Sequence, residues 1–464
     1  MLRACWLIPP AFLLLTGCVV GPKYKRPPVT VPDSYRGLAP DAGQQTTASL
    51  GDEKWWTVFQ DTQLQELIRE ALSQNYDVRI AASRVLQAQA VLGITRADQF
   101  PTITGGASTS NQRLPATRIT PAFETSPSQV NLSLFWELDF WGKFRRATEA
   151  ARADLLATEW GQKAVMSSLV SNVASAYFQL LELDLEMEIS RSTLASRRES
   201  LRLTEVRAKG GATSMLDVRQ SEQLVYTAAA NIPDLERRIE QQENLISILL
   251  GKNPGPVTRG KSLVENAILP TVPPGLPSSL LARRPDIQSS EQQLIAANAR
   301  IGVAKAAYFP QITLTAVGGY QSPALTDLFT GPAGLWNFGG QLVQPIFTAG
   351  KIRSNVRLAE GQQQESVLFY QQSIQQAFRE VADSLVAYRK NQEFRAQQEL
   401  LTNSAQDATR LSDMRYRGGV TSYLEVLDSD TRYFDAQLTL AQSRLNERLA
   451  LVQLYNALGG GWQQ

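Results

Sequence analysis

This 464-residue sequence contains no histidine, and its two cysteines, Cys5 and Cys18, both lie close to the N-terminus. Without histidine the chain lacks the commonest general base, the commonest metal ligand and the base of every Ser-His or Cys-His nucleophile pair. We therefore expect no enzyme activity, no catalytic residues, no metal site and no bound cofactor. The 46 basic residues are balanced by 44 acidic ones, so no basic excess favours nucleic acid as a partner.

The N-terminal apolar stretch, from Leu7 to Leu15, is too short to cross a bilayer. With Arg3 before it, the stretch is typical of an export signal, which we place at residues 1–17. The tetrapeptide that ends at Cys18 resembles a bacterial lipobox, which implies cleavage before Cys18 and acylation of its thiol. The alternative is an ordinary cleavage site beside a chance cysteine.

Residues 18–60 form a leader rich in proline and basic residues. Fixed φ angles and missing N–H groups predict a stiff, extended strap that lies on other surfaces. A helix is predicted to begin at Asp61, a good N-cap, and to continue at helical spacing to about Asp98.

Several motifs occur twice, about 208 residues apart. They are Phe-Pro at positions 100 and 309, Gly-Lys at 142 and 350, and Gly-Gly at 210 and 418. The constant offset indicates two structurally equivalent halves. We place the first half at residues 61–251 and the second at 284–464, joined by a linker at 252–283.

Each half also contains a long stretch without proline. Between Gly142 and Asn231, six apolar residues recur at seven-residue spacing, and such heptads predict coiled-coil packing. A helix from Gly142 to Lys209 would be on the order of 100 Å long. The pattern returns after Gly350. Two such arms, each turning back at a Gly-Gly pair, predict a long antiparallel helical barrel or bundle.

Strand periodicity precedes each long arm. Apolar and polar residues alternate from Val130 to Phe140, a pattern shared by membrane barrel strands and by soluble sheets with one buried face. We place the strands at about 100–112 and 128–140 in the first half and at about 309–321 and 335–348 in the second.

Four strands are too few to close a membrane barrel, because such barrels begin at about eight strands. An open sheet edge is not tolerated in lipid, so the strands must be shared between subunits. Two copies would give a barrel whose bore is filled by side chains. A conduit therefore favours three copies and twelve strands.

The order of these motifs resembles that of outer-membrane efflux proteins of the TolC type, in particular the lipoprotein branch that serves RND drug efflux systems. The resemblance rests on the lipobox at Cys18, the Trp55-Trp56 opening, Arg284-Pro285 and the segment from Tyr416 to Asp428. It implies a mainly α homotrimer with four strands per chain. These strands would form a shared 12-stranded outer-membrane β-barrel above a long periplasmic α-helical barrel, with a covalent lipid on Cys18. It also implies a periplasmic adaptor (membrane fusion) protein and an inner-membrane RND pump as partners.

The resemblance also implies where the channel closes. It places Leu424, Glu425 and Asp428 at a periplasmic constriction, with Asp217 as the first-half counterpart of Glu425. Three-fold symmetry would turn each carboxylate into a ring that attracts cations. The alternative is that Asp217 and Glu425 only complete capping boxes at helix N-termini. Members of the family often carry an arginine where this chain has Thr421, so we expect apolar closure by Leu424 to matter more.

Glycine pairs mark the ends of the two arms, at Gly210, Gly211, Gly418 and Gly419. Glycine permits a positive φ at a tight helix-to-helix turn. The family resemblance adds a second role, contact between these exposed tips and the adaptor.

We predict a passive exit channel of an RND-type efflux system in the outer membrane, which conducts drugs or other small toxic compounds delivered by a pump and adaptor. The alternatives within transport are a channel for type I protein secretion or for heavy-metal efflux. An alternative from a different class is a lipid-anchored periplasmic coiled-coil scaffold. The strand from Val130 to Phe140 separates these classes, because a scaffold needs no lipid-facing aromatic stripe.

Substitution of the lipidated residue tests the anchor. We expect Cys18→Ala to abolish acylation but to leave most of the protein in the outer membrane, because a twelve-stranded barrel outweighs the lipid chains. Membrane fractionation with intact-mass analysis measures both effects. Release of the unlipidated protein into the soluble periplasm would favour the scaffold.

Overall fold

The computed structural model describes residues 19–36, 48–265, 273 and 275–463. Cys18 and the predicted signal therefore lie outside the described residues. The chain divides into two compact units. The first unit draws on segments 1–28, 84–159 and 289–371, and the second on 29–83, 160–288 and 372–464. Each unit contains parts of both sequence halves, whereas the predicted repeats follow one another along the chain.

The helices of the two halves correspond in length. In chain order they are α1 (Trp55–Val58), α2 (Thr62–Gln74), α3 (Tyr76–Ala97), α4 (Lys143–Lys209), α5 (Met215–Leu249), α6 (Pro277–Arg283), α7 (Pro285–Ala306), α8 (Lys351–Arg417) and α9 (Tyr423–Ala457). α4 and α8 each contain 67 residues, and α5 and α9 each contain 35. The predicted duplication is thereby confirmed.

α4 packs its heptad positions against α5. Leu194 shares a buried cluster with Val225, and Met187 shares another with Leu235. An 18-residue window of α4 has a mean hydropathy of 1.3, in the range of a membrane span, but 61% of that window is buried inside the protein. The apolar character of α4 therefore reflects coiled-coil packing.

The helix predicted after Asp61 is divided into α2 and α3. The Asp61 carboxylate caps α2 by accepting from the N–H groups of Gln63 and Leu64 at 2.8 and 3.1 Å. At Asn75 the backbone leaves the helix, and the side-chain oxygen accepts from the Asp77 N–H at 2.8 Å. The prediction of one continuous helix was wrong because Asn75 fits an N-cap as well as it fits helical spacing.

The strands are β1 (Thr102–Thr109), β2 (Gln112–Leu114), β3 (Phe123–Thr125), β4 (Ser128–Glu137), β5 (Gln311–Ser322) and β6 (Gly334–Val343). Four of them form an antiparallel sheet in the order β1-β4-β5-β6, and β2 and β3 form a separate hairpin. Each predicted strand segment overlaps one strand of the sheet, although β5 ends at Ser322 and β6 begins at Gly334, one residue outside the predicted limits. The observed strands end before the predicted limits of 140 and 348 because the chain turns there toward α4 and α8.

The register collects the apolar residues on one face of the sheet. Leu132 lies opposite Gly318, and Leu134 lies opposite Ala316, which in turn lies opposite Phe338. Directly opposed residues of antiparallel strands share a face. The alternation seen in β4 therefore extends across all four strands. Within the described chain, the outer edges of β1 and β6 have no strand partner.

The leader is held on the first unit by one buried carboxylate. Glu291 of α7 is 5% exposed. It accepts from the Tyr24 hydroxyl at 3.0 Å and from Nε of Arg26 at 2.6 Å. Further along α7, Asn298 donates to the Pro22 carbonyl at 3.1 Å. Residues 19–36 contain no helix or strand, so this leader segment is the extended strap that the sequence predicts.

A second carboxyl group, Glu182 of α4, is buried in the second unit. It is 2% exposed, and its Oε1 has no hydrogen-bond partner. Burial, together with the neighbouring Glu186 carboxylate, raises the pKa of Glu182 from 4.5 to about 8. Arg238 of α5 opposes this increase and donates to Glu186 at 3.1 Å. Burial thus favours the protonated form of the Glu182 carboxyl group in the folded chain.

The raised pKa predicts that stability falls as the pH rises. Between the unfolded pKa, about 4.3, and the folded pKa, about 8, the folded state binds more protons. The free energy of unfolding then decreases by up to about 1.4 kcal/mol per pH unit. We expect the free energy of unfolding of Glu182→Gln to fall less steeply with pH than that of the wild type. Thermal unfolding from pH 5 to pH 8 measures this slope. Glu188→Gln, at an exposed position of α4, should keep the wild-type slope. Equal slopes for all three proteins would contradict the assignment.

Candidate functional site

The predicted site residues lie at the two helix turns of the second unit. Gly210 and Gly211 connect α4 to α5, and Gly418 and Gly419 connect α8 to α9. Gly211 has a φ of +72° and Gly419 a φ of +74°, a region that favours glycine because it has no Cβ. A Cβ at either position would meet no atom within 4 Å. We call these turns the first tip and the second tip.

At the first tip, Asp217 forms a complete capping box. Its N–H donates to Ser214 Oγ at 3.3 Å, and its carboxylate accepts from the Ser214 N–H at 3.3 Å. The Thr213 hydroxyl donates to the same carboxylate. The Asp217 side chain is therefore engaged in capping α5, as the alternative interpretation of the sequence predicts.

At the second tip, the equivalent box is not formed. The Ser422 side chain makes no cap hydrogen bond, and Glu425 Oε2 lies 3.7 Å from Arg415 Nε. One turn further along α9, Asp428 pairs with Arg432 at 2.9 Å. The capping interpretation of Glu425 was therefore wrong. Both carboxylates lie beside exposed arginines, so the charge they present is mixed and not purely negative.

Leu424, the fourth predicted gate residue, is 61% exposed in the single chain. It is one of several large apolar side chains exposed at the tips, with Met215, Leu216, Met414 and Val420. Large apolar side chains are thus exposed at both tips.

Arg197 is a residue of this region that the sequence analysis missed. It is 3% exposed. Its Nε lies 2.7 Å from Asp430 of α9, and its Nη1 donates to the Leu224 carbonyl of α5 at 3.2 Å. The guanidinium also lies 4.9 Å from the centre of the Phe434 ring. One side chain of α4 thus contacts two other helices. Arg197 lies two heptads after Leu183, a buried residue of the α4–α5 seam. That position was the available signal, because a polar residue in a core seam specifies register.

Tyr423, the first residue of α9, joins the two tips. It is 2% exposed, and its hydroxyl donates to Ser221 of α5 at 3.0 Å. Its ring centre lies 5.3 Å from that of Tyr416, and the Arg207 guanidinium lies 4.6 Å from the Tyr416 ring. Apart from the pairing of Tyr416 with Tyr423, these contacts join residues of different sequence halves, so no local pattern in the sequence predicts them.

Substitution of Arg197 tests whether the buried pair holds the tips together. Arg197→Met leaves Asp430 without its charge partner, and we expect local opening to become easier by about 2 kcal/mol. Amide hydrogen exchange in residues 196–204 and 426–434 should then be about 30-fold faster. The matched control is Arg202→Met, which breaks an exposed pair with Glu199 and should leave exchange close to wild type. Equal exchange in the two variants would contradict a role for Arg197.

Known proteins match this chain over almost its full length. The family described as outer membrane efflux protein matches residues 67–252 and 276–460. The solvent efflux pump outer membrane protein SrpC of Pseudomonas putida is 41% identical over 461 residues, 97% of each chain. The probable outer membrane lipoprotein SilC of Salmonella typhimurium is 36% identical over 453 residues, 97% of each chain. A crystal structure of CusC aligns with this structure at a TM-score of 0.87 and 34% sequence identity, and the alignment covers 96% of this chain and 100% of that chain. A cation efflux system protein of Escherichia coli has the same name, CusC.

Proposed function

This chain belongs to the outer membrane efflux protein family, and from that premise we propose that it is the outer-membrane exit channel of an RND-type efflux system. It conducts drugs or other small toxic compounds passively from a pump and adaptor to the exterior. The observation that carries this proposal is the four-stranded sheet, with one apolar face and two open edges, in a chain with two 67-residue helices. Relatives named for solvent and cation efflux support small solutes as the cargo.

The open edges of the sheet support a homotrimer. Backbone groups at a sheet edge cannot remain unpaired in lipid. Pairing β6 of one copy with β1 of the next satisfies them, and three copies give a twelve-stranded barrel. Trp336 and Phe338 on β6 are each 76% exposed in the single chain. Their place on the apolar face supports contact with lipid or with a neighbouring copy.

The start of the leader supports a lipid anchor at Cys18. The next residue, Val19, lies against the turn between β4 and α4, where a Cβ on Gly142 would be 2.9 Å from Val19 Cγ1. The Val20 N–H donates to the Trp141 carbonyl at 3.1 Å. The described part of the leader therefore begins beside the base of the sheet, which supports an anchor at the residue that precedes it. The description of SilC as a probable lipoprotein agrees with this anchor.

The tips form the periplasmic gate and the adaptor contact in this proposal. Leu424 narrows the channel as an apolar ring, and Glu425 and Asp428 add polar rings that their arginine neighbours partly neutralise. Asp217 holds the first tip in shape through its capping box. The open turns at the two Gly-Gly pairs leave room for a partner helix.

Planar-bilayer conductance of the purified protein tests the channel and its gate. We expect Leu424→Ser to raise conductance several-fold by wetting an apolar constriction, and Glu425→Gln with Asp428→Asn to lower the preference for cations. Leu245→Ser and Glu240→Gln, at exposed positions on α5, are the matched controls and should behave as wild type. In detergent the assembly should have about three times the 51.2 kDa chain mass, slightly less after signal removal.

Two results would contradict the proposal. A stable monomer with native helicity would rule out the shared barrel. Absence of conductance in the wild type and in Leu424→Ser would favour the coiled-coil scaffold. If the gate variants conduct as wild type, the channel stands but its constriction lies elsewhere.

A further inference from the structure

The second unit contains an open groove between α8 and α9. Its volume is about 710 Å³. Its apolar lining includes Ala405 and Ala408 of α8 and the buried Ala436 of α9. Leu401, which also lines the groove, is 52% exposed. The single chain therefore leaves an apolar surface between these two helices accessible to solvent.

The internal duplication gives this groove a counterpart on α4 and α5. α8 begins 208 residues after α4, and α9 begins 208 residues after α5. Four lining residues of the groove correspond in this way to residues that line the junction of α4 and α5 with α9 inside one chain. The pairs are Ser404 and Ser196, Ala405 and Arg197, Ala408 and Ser200, and Arg432 and Leu224.

Inside one chain, three residues of α9 cover the α4–α5 counterpart. Phe434 is 5% exposed, and the centre of its ring lies 4.9 Å from the Arg197 guanidinium. The buried Tyr423 donates from its hydroxyl to Ser221 at 3.0 Å. Asp430 lies 2.7 Å from Arg197 Nε. Two aromatic side chains and one carboxylate of α9 thus fill this junction.

The equivalent positions of α5 present similar side chains. Tyr226 corresponds to Phe434 and is 68% exposed, whereas Met215 corresponds to Tyr423 and is 59% exposed. Glu222 corresponds to Asp430 and pairs with Arg219 of its own helix at 2.6 Å. The groove and this face of α5 are therefore the two exposed counterparts of surfaces that are buried against each other within the chain.

We propose that Tyr226 and Met215 of a second copy of the chain occupy the α8–α9 groove. The inference rests on the homotrimer proposed above and deepens it by naming the helices that meet between copies. Two equivalent halves repeated around a three-fold axis give six similar junctions, three within chains and three between copies. Burial of the two exposed apolar side chains favours this contact. Glu222 of the second copy then lies near Ala405, as Asp430 lies near Arg197.

Photo-crosslinking in the full-length, membrane-inserted protein tests the proposal. We replace Tyr226 with p-benzoylphenylalanine, another aromatic residue, whose ketone inserts into nearby C–H bonds on irradiation. Irradiation should give a covalent dimer, in which mass spectrometry finds residue 226 joined to a peptide containing residues 398–408 or 428–439. The control is the same photoreactive residue at Thr227, an exposed position about 100° further around α5. We expect its yield of that dimer to be lower by about tenfold.

A charge introduced into the groove tests the register of the contact. In Ala405→Arg, the new guanidinium should pair with Glu222 of the second copy as Arg197 pairs with Asp430. The matched control is Asn403→Arg, at an exposed position of α8 outside the groove. We expect the further change Glu222→Gln to speed amide hydrogen exchange in residues 401–409 about fivefold more in Ala405→Arg than in Asn403→Arg.

The outcomes separate this inference from the function proposed above. A stable monomer in detergent would contradict the homotrimer, and with it this inference. A trimer that gives no dimer product from residue 226, or gives it outside the groove peptides, would overturn the inference alone. Equal effects of Glu222→Gln in the two arginine variants would also overturn it.

Discussion

Backbone groups at the outer edges of β1 and β6 must find hydrogen-bond partners, because the hydrocarbon interior of a membrane offers none. One chain supplies only four strands to the sheet, too few to close upon itself. The proposed trimer follows from this requirement. The apolar face of the sheet, on which Leu134, Ala316 and Phe338 are aligned, has the character that a lipid-facing wall needs.

The helical tips depend on a different interaction, the pairing of polar groups between helices. A few polar contacts join them, and these lie in otherwise apolar seams. Arg197 and Asp430 form the most buried ion pair there, and the Tyr423 hydroxyl bonds to Ser221. Breaking a buried charge pair is costly because each group is left unpaired in a poorly solvated place. Such contacts therefore favour one arrangement of the tips.

The leader is held against α7 by hydrogen bonds and an ion pair with Glu291, and not by apolar packing alone. Glu291 is almost fully buried and receives both Tyr24 and Arg26. A buried carboxylate needs such partners, so the strap and α7 stabilise one another.

Much of the fold was determined by the sequence, because it depends on patterns repeated along the chain. Heptads predicted the packing of α4 on α5, the recurring motifs predicted the duplication, and alternation from Val130 predicted β4. The contacts of single polar residues were decided only by the tertiary structure. Asp217 and Glu425 occupy equivalent sequence positions, yet Asp217 caps a helix and Glu425 lies beside Arg415. Local sequence gives both the same chemistry, but the partner of each depends on side chains brought near by the folded helices.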